Sequence, residues 1–205
     1  MSKTTILVTA LALIFIAAVA YALFHLGEVN KREVVNRYYG SEFSFTYPLG
    51  YELQEDANDR LSVGSTTQSG FVSVIDMTRI AVPAGTTDYD AYVREQILRV
   101  CATDGVAERT HCTAVESEEK IKTVTDESAQ VYRLTLVREV PGQEPQTLSF
   151  GPLYVYLIGP IESNEGQSFE ALVIHPSLTS VLTGAMDETL LTRVNDSVRR
   201  GDDRK

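Results

Sequence analysis

Two stretches, Leu153-Tyr154-Val155-Tyr156-Leu157-Ile158 and Ala171-Leu172-Val173-Ile174, carry no polar break. A strand wet on one side alternates apolar with polar residues, whereas a strand apolar on both faces belongs in the middle of a sheet covered on two sides. Upstream, Tyr132, Leu134 and Leu136 alternate with Arg133 and Thr135, the mark of a strand with one solvated face. Further strands are expected over Phe43 to Tyr47, Tyr51 to Leu53, Leu61 to Val63, Phe71 to Val82, Thr113 to Thr123, Ala129 to Val140, Thr147 to Ile158 and Ser168 to His175. Turn residues at Pro141-Gly142, Gly159-Pro160 and Asn164-Glu165-Gly166 are too close together for crossover helices, so consecutive strands should run antiparallel.

Two helices punctuate this pattern. Thr87-Asp88-Tyr89-Asp90 has the form of an N-terminal cap, and Tyr89, Val93, Ile97, Val100 and Cys101 follow at spacings of three and four. Met186, Leu190, Leu191, Val194 and Val198 form a second stripe, with Asp187 and Glu188 in the first turn and Arg199 and Arg200 in the last, matched to the helix dipole. The expected fold class is therefore α+β, a mostly antiparallel sheet flanked by helices over residues 41–200, with a solvated tail at 201–205. The opening FSFTYPLGYEL (43–53), followed by this element order, GPLYVYLI (151–158), ALVIHP (171–176) and a closing helix, resembles the PsbP-like α/β/α sandwich superfamily. That resemblance implies a fold and no activity, since no functional motif of its members can be placed on these residues.

Ahead of the domain, Ile6 to Leu26 is interrupted only by Thr9 and His25. As a helix this run extends about 31 Å, close to the ~30 Å hydrocarbon thickness of a bilayer. We read it as a signal anchor at 6–26 with a short cytoplasmic tail at 1–5 and a stalk at 27–40. Ala18-Val19-Ala20 fits a cleavage site, and secretion after cleavage near Ala20 is the alternative; the apolar run continues past it to Leu26, which favours retention. Lys3 on one flank and Lys31, Arg32 and Arg37 on the other nearly balance the positive-inside rule. The short tail and the cysteines place the domain outside the cytoplasm.

The 205-residue chain is 43% apolar and 22% charged, the usage of a folded protein. It has 18 basic and 28 acidic side chains, net −10, and Lys3 is the only charged residue before Glu28, so the rest carries −11. Such a surface repels phosphate backbones, which argues against nucleic acid as a partner. The expected partner is the lipid bilayer, through residues 6–26.

Cys101 and Cys112 close a polar turn, CATDGVAERTHC, between the first helix and the next strand, and are expected to form a disulfide in an oxidising compartment, with two free thiols as the alternative. His111 beside Cys112 leaves any metal site short of a fourth ligand, so no metal and no cofactor is expected. His175 and Ser177 stand two apart before and after Pro176 without a nucleophile elbow, and read as a strand terminus. Glu118-Glu119 and Asp126-Glu127 read as solvated turns, and Glu55 to Asp59 lacks the glycine and distal glutamate of a calcium loop. No phosphate-binding glycine motif occurs. Ten tyrosines without tryptophan read as sheet-surface residues, with a binding groove as the sharper alternative. The expected function is an anchored extracytoplasmic binding or accessory module and not an enzyme. The alternatives are a hydrolase using His175 or a carboxylate pair, and a membrane-anchored assembly subunit.

Overall fold

A computed structural model describes residues 35–40, 42–56, 60–123, 127–163 and 166–201. The expected tail at 1–5, anchor at 6–26 and first part of the stalk lie outside them, as do residues 202–205. Among the described residues no helix is long and apolar enough to cross a membrane. The elements are β1 (Val35–Tyr39), β2 (Phe43–Pro48), β3 (Glu52–Glu55), β4 (Leu61–Thr67), β5 (Gly70–Val82), α1 (Tyr89–Ile97), β6 (Thr103–Asp104), β7 (Arg109–Lys122), β8 (Ser128–Glu139), β9 (Gln146–Ser163), β10 (Gly166–Pro176), α2 (Leu178–Thr183), α3 (Glu188–Asp196) and β11 (Arg199–Arg200).

Eight of the strands form one antiparallel sheet in the order β3-β4-β5-β10-β9-β8-β7-β6, and β1, β2 and β11 form a second, small sheet. The doubly apolar stretches do hold the middle, as β9 and β10. Phe43, Phe45, Tyr156, Leu172 and Ile174 pack one face of the large sheet together with Leu190, Leu191 and Val194 of α3. Val93 and Ile97 of α1 pack the other face against Leu134, Phe150 and Val173. Each such side chain, fully buried, stabilises by about 1.5–3 kcal/mol.

The α+β expectation is corrected by this arrangement: the fold is β-rich, a curled half-barrel sheet and not a helix-flanked sandwich. Among the described residues the helices are nine residues or shorter. Part of the cover comes instead from the small sheet, and strands of 12 to 18 residues curl toward their own core. Val35–Tyr39, expected within the stalk, is strand β1, paired along its whole length with β2 from Val35 opposite Pro48 to Tyr39 opposite Ser44. β9 runs through the expected Gly159-Pro160 turn to Ser163. The closing helix stops at Asp196, and Arg199 and Arg200, expected in its last turn, pair with β2 as β11.

The cap read from sequence at Asp88 is present, and Asp187, expected in the first turn of the closing helix, is its N-cap. The Asp88 side chain accepts from the Ala91 amide at 2.9 Å and starts α1, and Asp187 accepts from the Leu190 amide at 2.9 Å and starts α3. α2, a turn and a half after Pro176, begins on the Ser177 hydroxyl and ends on Gly184 at φ +68°, the left-handed geometry that glycine adopts without strain.

Candidate functional site

One polar cluster interrupts the apolar interior, and it lies where β4, β5 and β10 adjoin. Ser62 stands opposite Asp76 between β4 and β5, and Asp76 stands opposite His175 between β5 and β10, so the three side chains share one face. A register shift between Val63 and Gly64 sets this alignment. Glycine is required at 64, because a Cβ there would collide with the Val72 carbonyl oxygen.

Asp76 is 1% exposed, and its carboxylate is fully engaged. Oδ1 accepts from Ser62 Oγ and Ser73 Oγ, both at 2.7 Å, and Oδ2 pairs with the guanidinium of Arg60. A buried carboxylate is tolerated only when its lone pairs are met in this way. Arg60 comes from the β3–β4 loop, pinned by its amide donating to Asp56 Oδ1 at 3.1 Å and by the Asp56 amide donating to the Arg60 carbonyl at 3.0 Å.

His175 is buried beside this pair. Its Nδ1 lies 2.9 Å from the Pro176 carbonyl, which can only accept, so Nδ1 carries the proton and Nε2 accepts from the Thr78 hydroxyl at 3.3 Å. Burial pushes the His175 pKa below the usual imidazole value, and the Asp76 charge opposes that shift without overcoming it.

Two hollows meet at Arg60. One, of about 320 Å³, lies over Ser62, Ser73, Asp76 and the start of α2. The other, of about 520 Å³, has His175 and Thr78 in its floor and Tyr92, Gln96, Arg99 and Val100, from α1 and the turn after it, in its wall. The second volume falls in the range of small-molecule sites.

The structure brings some of the expected residues together and separates others. Cys101 and Cys112 form a disulfide, with Cα atoms 5.9 Å apart, that ties the turn after α1 to β7. His175 and Ser177 do not engage each other. The Ser177 hydroxyl donates to the Ser73 carbonyl at 2.6 Å and accepts from the Ser180 amide at 3.1 Å, which commits it to the α2 cap. Of the acidic pairs, Asp126 lies outside the described residues, the Glu118 side chain is not described, and Glu127 pairs with Arg200 at 2.7 Å. Asp56 caps its own loop, while 57–59 of the acidic run lie outside the described residues. Among the described residues no group of three or more metal-ligating side chains converges.

Asp76 and Arg60 were not singled out by sequence reasoning. The available signal was a lone carboxylate inside the apolar strand FVSVIDMTRIAV, where an unpaired charge is too costly to leave alone. Comparison of the chain with protein-family models gives no match, and comparison with curated proteins gives none either.

Proposed function

We propose that this chain is a single-pass membrane protein, anchored by residues 6–26, that presents a β-rich small-molecule binding domain outside the cytoplasm. The observation that carries the binding reading is the 520 Å³ hollow floored by His175 and Thr78 and bordered by Arg60 and Arg99. It is a concave site lined mostly by polar and charged groups, its floor built on paired strands that hold His175 and Thr78 in place. The placement is supported by the uncharged 21-residue run and by the Cys101–Cys112 disulfide, a bond that persists in oxidising compartments. Binding is favoured over hydrolysis because the hydroxyls nearest His175 are committed: Thr78 donates to its Nε2, and Ser177 caps α2.

Protease added outside intact cells or spheroplasts tests the placement. Digestion of a C-terminal epitope is expected while the membrane-embedded fragment persists through alkaline extraction. A shielded epitope in sealed cells, or release of the whole chain by alkali, would overturn it.

A further inference from the structure

We infer that the hollow beside α1 takes a small organic carboxylate with an apolar body, an assignment that rests on the binding reading above. Four charged residues line this hollow: Asp56, Arg60, Arg79 and Arg99. The Arg79 guanidinium is committed elsewhere, 5.2 Å over the Phe43 ring and within 3.5 Å of Glu42 and 3.9 Å of Glu170. Asp56 is turned to the backbone of its own loop, where Oδ1 accepts from the Arg60 amide. That leaves Arg60 and Arg99 as the most exposed guanidinium groups of the lining.

Arg60 spends Nη2 on Asp76, yet its side chain remains 45% exposed and borders both hollows. Among the described residues Arg99 pairs with Glu95 at 3.3 Å, and both side chains are 67% exposed. Exposed ion pairs of this kind exchange readily for another anion. In a chain of net charge −10, a hollow lined by three guanidinium groups and one carboxylate favours an anion by sign. Guanidinium presents a planar fork that matches a carboxylate. The rest of the wall is apolar or neutral: Ile80, Val100, Ala102 and the Tyr92 ring give a surface for a hydrocarbon body.

The test uses the full-length, ¹⁵N-labelled protein in detergent micelles, titrated with benzoate, benzyl alcohol and benzylamine, which share a ring and differ in charge. Benzoate is expected to shift the amide signals of Thr78, Gln96 and Arg99 saturably and to bind at least fivefold more tightly than benzyl alcohol. Arg99→Gln is expected to weaken benzoate at least fivefold. Arg60→Gln is expected to do the same in a background of Asp76→Asn, which keeps the buried cluster neutral and folded. Tighter binding of benzyl alcohol or benzylamine, or benzoate binding unchanged by both arginine variants, would overturn the carboxylate assignment and leave the hollow a binding site. Silence from all three probes would overturn the carboxylate assignment and the binding reading together, leaving the membrane placement to its own test.

Discussion

Tyr156 on β9 and Asn195 at the end of α3 are joined through a hydrogen bond in which Tyr156 Oη donates to Asn195 Oδ1 over 2.5 Å, with both residues buried. The bond fixes the last turn of α3 onto the middle of the large sheet. Tyr156→Phe keeps the ring and strands the Asn195 oxygen in an apolar site, so unfolding in urea is expected to show a loss of about 1–3 kcal/mol. A loss under 0.5 kcal/mol would show that the bond contributes nothing to stability.

Burial pushes the Tyr156 pKa far above the usual phenol value, with Asp196 adding to the shift. Since the folded state resists ionisation, the stability linked to this group is full below about pH 10, the unfolded value, and is lost as pH rises beyond it. Absorbance at 295 nm should show the Tyr156 phenol titrating only with alkaline unfolding. In Tyr156→Phe the amplitude of that coupled step should fall by one tyrosine.

His175 works in the opposite direction along the pH axis. Its folded pKa is depressed by burial, so its contribution is present above about pH 6.5, the unfolded value, and declines as pH falls through the folded value. Thermal midpoints measured from pH 7.5 down to 5 should fall more steeply for the native chain than for His175→Gln. Parallel slopes would assign the acid sensitivity to other groups.

Arg60 and Asp76 should couple strongly in a double-mutant cycle. Arg60→Met leaves a buried carboxylate with only two hydroxyl donors and is expected to cost about 2–4 kcal/mol, below the range for a fully buried pair because Arg60 is 45% exposed. Adding Asp76→Asn should recover at least about 1 kcal/mol of that loss by removing the charge. Additive effects would show that the pair does not act as a unit.

The Cys101–Cys112 bond closes a loop whose ends are 11 residues apart in sequence. By loop-closure entropy, reduction or Cys101→Ala/Cys112→Ala is expected to cost about 3 kcal/mol. The unreduced chain should weigh two hydrogens less than the reduced one. A reduced chain as stable as the oxidised one would place the benefit of the bond outside folding.

Much of the central sheet was legible because the chemistry is local. Phe43 and Phe45 alternate along β2, and Leu153 to Tyr156 and Ala171 to Ile174 are apolar without a break, so their places follow from which faces must be dry. β1 was missed because Val-Asn-Arg-Tyr-Tyr follows a membrane-like run, and its only strand partner is β2. α2 was missed because six residues show too little periodicity, although Ser177 and Gly184 mark its ends. The α+β reading failed because strand curl is a collective property, unmarked at any one residue. The site was hidden for a related reason. Asp76 meets Ser62, Arg60 and His175 only through strand register, and a one-residue slip would put its side chain on the other face.

The pairing of Arg199 with Ser44 joins strands more than 150 residues apart. The small sheet is therefore finished by residues made more than 150 positions after Ser44. A ribosome synthesises the chain from its N-terminus, so β1 and β2 must wait, with Phe43 and Phe45 incompletely covered, until α3 and β11 exist. Folding of this domain thus waits on synthesis of its last strand, and a nascent chain stalled before Leu190 would leave Phe43 and Phe45 without the α3 part of their cover.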